Sequence, residues 1–344
     1  MKNATPHALG FRMPAEWEPH EATWIAWPHN RDDWPRRFAP IPWVYGEIVR
    51  RLSRVETVRI LAPNRETMRS AIRLLERVNA KLESVEFYLC ATDRSWTRDY
   101  CPLFVKNEAG ETAITDWKFN GWAKYSNWQR DNAVPAWLAR NLGMRSWQTD
   151  LVLEGGSIDV NGRGALLTTE ECLLSPVQAR NPHLTREDLE RALESYLGAR
   201  SVIWLKNGIA GDDTHGHVDD LARFTAPDTI AIASEEDSRD ANYETLRENL
   251  AILRKHSFRV VKLPMPEPIV FAGRRLPASY ANFYIANGLV LVPTFNDPND
   301  RAALNILAKL FPGRQVTGIN CTDLIWGLGA LHCMTQQQPA PARG

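Results

Sequence analysis

The sequence predicts an α/β fold of five repeated strand–helix modules, read as one domain over residues 1–344. Three observations carry this. An amphipathic helical stretch runs five times into a short β-branched or apolar run. A polar motif follows each run, and hairpins come after the motifs. The last three of the runs begin near residues 201, 258 and 315, a repeat of about 57 residues. Such a unit cannot bury its apolar face alone, so the modules must share a core. Five modules that each present a polar tip can close into a ring with the tips converging.

The elements follow in order. Glu21 to Trp27 reads as a strand donated to the last, truncated module. Helix 43–54 precedes the strand Thr57 to Leu61, and helix 133–142 precedes Met144 to Thr149. Helix 185–197 precedes Ser201 to Leu205, and helix 241–255 precedes Phe258 to Leu263. Helix 301–311 precedes Gln315 to Ile319. Thr185-Arg186-Glu187-Asp188 and Asp297-Pro298-Asn299-Asp300 are helix-start signals. Asn161-Gly162 and Asn287-Gly288 are hairpin turns. Residues 340–344 are expected to form a frayed tail.

Composition narrows the function. Lys plus Arg number 41 and Asp plus Glu number 41. Zero net charge argues against nucleic-acid and membrane-surface partners, which call for a basic excess. No apolar run reaches the roughly 20 residues of a membrane span. Met1 to Phe11 has no apolar core, so no signal peptide is expected. The five cysteines (Cys90, Cys101, Cys172, Cys321 and Cys333) are odd in number and lack a CxxC pair. That fits a reduced, cytoplasmic protein rather than a disulfide framework.

The polar motifs carry the chemistry. They are Trp96-Thr97-Arg98-Asp99-Tyr100-Cys101-Pro102, Glu154-Gly155-Gly156-Ser157, His215-Gly216-His217-Val218-Asp219, Ser279-Tyr280-Ala281-Asn282 and Leu331-His332-Cys333. On a strand, His215, His217 and Asp219 would share a face. They then suit a zinc hydrolase, or a general acid/base His217 with a carboxylate Asp219. Equivalent module positions bring together Asp99, Glu154, His217, Asp219 and Cys333. Three carboxylates would repel the oxyanion of acyl transfer. They suit a cationic substrate instead. A guanidinium keeps its charge and offers a planar fork that carboxylates match. Its carbon is an electrophile for the Cys333 sulfur, and Trp96 and Trp122 are candidate stacking partners. A silent binding protein would need the carboxylates but not Cys333.

These residues resemble the agmatine deiminase family, grouped with the bacterial-type peptidylarginine deiminases in the guanidino-group-modifying superfamily. The resemblance spans nearly the whole chain. It includes the stretch from Met13 to Trp24, Trp96 to Pro102, Phe119-Asn120-Gly121-Trp122 and Leu153 to Ser157. It continues through Leu166 to Leu174, Gly216 to Asp219, Ala278 to Gly288 and His332 to Pro339. It implies a five-fold pseudosymmetric α/β-propeller and hydrolysis of agmatine to N-carbamoylputrescine and ammonia, a polyamine-pathway reaction. Cys333 would attack the guanidinium carbon, Asp99 and Asp219 would hold its nitrogens, and His217 would move protons. Glu154 would bond substrate or orient His217. No metal or other cofactor is implied. Arginine or peptidylarginine is the alternative substrate, and an amidinotransferase would pass the same group to an amine. A homodimer is expected.

The chain departs from the family at several positions. Gly327-Leu328-Gly329 replaces three glycines, and His215 and Asp220 stand where the family has asparagines. Ala222-Arg223 lacks the usual cysteines, and the segment from Pro264 to Pro277 is shorter. Arg223 facing the site would favour a substrate with a carboxylate.

Overall fold

The computed structural model describes residues 4–342. Its strands form one four-stranded sheet, four three-stranded sheets and a two-stranded hairpin. His20–Ala26 (β1), Thr57–Ala62 (β2) and Val85–Leu89 (β3) run parallel. Leu103–Lys106 (β4), Thr112–Lys118 (β5) and Ser146–Val152 (β6) form the second sheet. Asp159–Val160 (β7), Ala165–Thr169 (β8) and Ser201–Leu205 (β9) form the third. Ala222–Ala226 (β10), Thr229–Ser234 (β11) and Arg259–Pro264 (β12) form the fourth. Val270–Phe271 (β13) and Arg274–Arg275 (β14) make the separate hairpin. Tyr284–Ala286 (β15), Leu289–Thr294 (β16) and Gln315–Asn320 (β17) form the last sheet. Gln336–Pro339 (β18) pairs antiparallel with β1 and completes the first.

Each of the larger sheets repeats one pattern. Two antiparallel strands are followed by a parallel third. The last two sheets do the same. A parallel step needs a crossover, and a helix supplies each one. Five of the six are Ile41–Leu52, Val134–Leu142, Arg186–Leu197, Tyr243–Leu253 and Asp300–Leu310. All lie within two residues of the spans expected from sequence. Thr185 and Asp188 form a reciprocal capping box, and Gly198 ends that helix at φ 72°. Asp297 is no cap. It accepts the Asn299 amide at 2.7 Å in a turn before the last helix.

The sequence reading missed one crossover. Helix Arg65–Arg77 joins β2 to β3 and buries only Ala71 and Leu75. With so few apolar anchors it reads as solvated surface. Part of the stretch expected to fray, residues 340–342, makes backbone hydrogen bonds. The Ala340 amide donates to the Pro19 carbonyl at 2.8 Å, and Ala342 to that of Gly110 at 3.1 Å. Residues 343 and 344 lie outside the described residues. Among the described residues, no helix is long and apolar enough to cross a membrane.

Candidate active site

The site is assembled from segments that follow the last strand of each sheet. Asp99 lies on the short helix Thr97–Tyr100 after β3. Glu154 follows β6 and precedes the 3-10 turn Gly155–Ser157. His217 and Asp219 bracket the start of a 3-10 turn, Val218–Asp220, after β9. Asn282 follows β12, and Cys333 lies between β17 and β18. The turns touch because Gly155 and Gly156 carry no side chain. A Cβ on Gly155 would lie 2.3 Å from the Arg98 carbonyl oxygen. One on Gly156 would lie 2.6 Å from His217 Nδ1 and 2.8 Å from Asp99 Oδ1.

The structure brings all five expected chemical residues together. His217 Nδ1 is 3.8 Å from Asp99 Oδ1 and 4.0 Å from Asp219 Oδ1. Its Nε2 is 3.7 Å from Glu154 Oε2. These are charge contacts, too long for hydrogen bonds. Neither ring nitrogen has a hydrogen-bond partner among the described residues, and neither does Asp219 Oδ1. Cys333 Sγ accepts from Asn282 Nδ2 at 3.1 Å and lies 3.7 Å from Asp219 Oδ2. Asp99 accepts from Trp122 Nε1 at 2.9 Å and from the Gly156 amide at 3.0 Å. A cavity of about 660 Å³ opens onto Cys333 and Asp99, walled by Trp96, Trp122, Trp326 and Leu328.

Burial sets the electrostatics. It pushes the Cys333 thiol well up, and Asp219, Asp220 and Asp99 push it further. Burial also raises Asp99 to about 6, with Asp219 and Glu154 adding to the rise. Glu154 resists its burial and falls to about 2 because Arg180 lies against it, Nε to Oε1 at 3.0 Å. Burial would lower His217, but Asp99, Cys172 and Glu154 reverse that and hold it well above the imidazole range. Asp219 is likewise buried, yet its bond to His332 carries it below the usual range. Burial and then Asp219 push Asp220 far up.

Several expectations are corrected. The segment from His215 to Asp219 is not a strand, and His215 turns away at φ 65°. Its ring meets Ser175 Oγ at 3.1 Å and Glu171 at 3.6 Å, so the HxHxD residues do not converge as zinc ligands. Arg223 reaches neither the cavity nor solvent. Fully buried, it binds Asp159, Glu16 and the Phe283 carbonyl. Trp122 acts as a donor to Asp99 as well as a wall. Sequence reasoning gave no role to Asn282, His332, Glu16 or Arg180. Asn282 and His332 stood within quoted motifs, and Glu16 within the N-terminal one. Arg180 left no signal.

A family model described as Porphyromonas-type peptidyl-arginine deiminase matches residues 12–339. Agmatine deiminase of Pseudomonas aeruginosa (strain LESB58) is 36% identical, over 99% of this chain and 98% of its own. The solved agmatine deiminase of Enterococcus faecalis superposes with a TM-score of 0.92 at 33% identity, covering 99% of each chain. That of C. jejuni with substrate bound gives 0.89 at 32% identity, covering 97% of each.

Proposed function

Since the chain belongs to the Porphyromonas-type peptidyl-arginine deiminase family, we propose that it hydrolyses agmatine to N-carbamoylputrescine and ammonia. The relatives named agmatine deiminase support the substrate. The observation that carries the reading is Cys333 and Asp99 on one cavity wall, with His217 and Asp219 packed directly against them.

The chemistry runs in two steps. Asp99 and Asp219 accept from the guanidinium nitrogens and face its carbon toward Cys333. The bound cation favours loss of the Cys333 proton to solvent, and the resulting thiolate attacks that carbon. His217 gives its proton to one nitrogen, which leaves as ammonia, and an S-linked amidino intermediate remains. His217 then takes a proton from water. The hydroxide adds to the same carbon, the C–S bond breaks, the added hydroxyl gives its proton to solvent, where it converts the released ammonia to ammonium, and the ureido product leaves with the thiolate restored. Glu154, held by Arg180, keeps a negative charge beside Nε2 and favours the protonated ring. Trp96 and Trp122 flank the aliphatic stem.

A second reading is arginine or peptidylarginine as substrate. Arg274 lines the same cavity and meets Lys124 on one carboxylate, Asp213, at 2.6 and 2.7 Å. Two cations on one acid suit an α-carboxylate. The repeated sheets support a ring of five modules about a pseudo-five-fold axis, a propeller forming one domain. A cytoplasmic homodimer completes the reading.

The test is ammonia and ureido release from agmatine, arginine and an internal-arginine peptide, with EDTA, for wild type and Cys333→Ala. Agmatine turnover that is lost in the variant and indifferent to EDTA is expected. Turnover of arginine or peptide instead keeps the mechanism and changes the substrate. Activity that survives Cys333→Ala, or is lost with EDTA, overturns it.

A further inference from the structure

Behind the substrate-facing carboxylates lies a second polar layer that the mechanism above does not use. Asp219 Oδ2 meets His332 Nδ1 at 2.7 Å, and His332 Nε2 meets Glu16 Oε2 at 2.8 Å. All three residues are at most 5% exposed. Glu16 is anchored in turn. Arg223 Nη2 donates to Oε2 at 2.9 Å, and the Ile285 amide to Oε1 at 2.7 Å. Arg98 adds a longer contact at 3.4 Å and donates through Nε to the His332 carbonyl. The His332 amide is fixed by Asn282 Oδ1 at 2.9 Å.

An ionised carboxylate oxygen only accepts, so the bridge to Asp219 calls for the ring proton on Nδ1. The bridge to Asp219 occupies Oδ2 only. It leaves Oδ1 as the oxygen with no partner among the described residues, on the side of His217. A carboxylate with one oxygen pinned from behind presents the other in a fixed direction.

We propose that His332, braced by Glu16, is a positioning residue that pins Asp219 Oδ2 and aims Oδ1 at the substrate guanidinium. The inference rests on the reading of Asp219 as a guanidinium acceptor. His332 touches no reacting atom, and it acts through the orientation of Asp219.

Two amide variants separate this role from plain packing. Asn at 332 can place an N–H near the position of Nδ1 and keep a donor to Asp219. Gln reaches toward the position of Nε2 and Glu16 and gives that donor up. Relative to wild type, kcat/KM for agmatine should fall about 10-fold in His332→Asn and about 100-fold or more in His332→Gln. Thermal unfolding of the two should be similar. Equal losses that track the unfolding temperature would overturn the proposal. Absence of guanidine turnover in wild type would remove the functional reading instead. The ring nitrogens, read by 15N NMR of histidine-labelled wild type, then still decide the bridge. A hydrogen-bonded proton on Nδ1 of His332 supports the proposal, and a bare Nδ1 overturns it.

Discussion

Gly156 lies so close to His217 that a Cβ at its position would sit 2.6 Å from Nδ1. The Glu154-Gly155-Gly156-Ser157 turn is thus a spacer whose missing side chains let Asp99, His217 and Asp219 share one floor. Gly156→Ala should lower kcat/KM at least about 100-fold, because a displacement of about 1 Å in such a site costs that much. Steady-state kinetics with a melting curve checks this, and an active Gly156→Ala would show that the floor has room to spare.

Cys333 is pushed well up by its burial and by Asp219, Asp220 and Asp99. Without ligand at pH 7 it should react slowly with a neutral alkylating amide, relative to a thiol of pKa about 8.5. A cationic haloacetamidine should react faster, since it supplies the charge that favours the thiolate. Rate constants for both reagents, corrected by a small thiol, read this out. Equal corrected rates would contradict it.

Burial pushes Asp99 up to about 6. A carboxylate must be ionised to hold a guanidinium, so kcat/KM should fall as pH drops through about 6. Because its folded value lies above the unfolded one, Asp99 is a cost to stability at neutral pH that acid relieves. Trp122→Phe removes a donor to the carboxylate and should move the acidic limb upward. The measurement is a pH–rate profile of both proteins.

Arg180 and Glu154 form a fully buried pair at 3.0 Å. Glu154 is depressed to about 2. Its contribution to stability is therefore present above the unfolded carboxylate value and is lost as pH falls toward about 2. Removing one partner of such a pair costs about 3–5 kcal/mol. Arg180→Gln should show this in urea unfolding, with part of the loss recovered in the double variant Arg180→Gln/Glu154→Gln. Additive losses would mean that the two residues do not act as a pair.

Leu328 sits at φ 67° between two glycines on the cavity wall. A branched side chain in that conformation costs on the order of 1 kcal/mol. Leu328→Gly should relieve that strain but lose the side chain's packing on the core, leaving stability within about 1 kcal/mol of wild type, and admit bulkier guanidines. Unfolding and a substrate panel test both parts. Unchanged selectivity would assign Leu328 to packing alone.

Much of this was legible in the chain because the module is written five times. Helix periodicity and β-branched runs located the crossovers, and each polar tip followed its strand. That order identified Asp99, Glu154, His217, Asp219 and Cys333. Helix Arg65–Arg77 escaped because so little of it is buried. The HxHxD reading failed because a period-of-two argument needs a strand, and Gly216 at φ 93° breaks the chain there. Glu16 and Arg223 were hidden for a different reason. A buried charge leaves no local signature when its partner is 207 residues away.

β18 pairs with β1 across the length of the chain, and Cys333 stands three residues before β18 begins. The thiol is therefore held in place through the pairing of β18 with β1. The nucleophile is thereby tied to a strand pairing distant in sequence, so loosening β18 from β1 should displace the thiol while the other sheets persist.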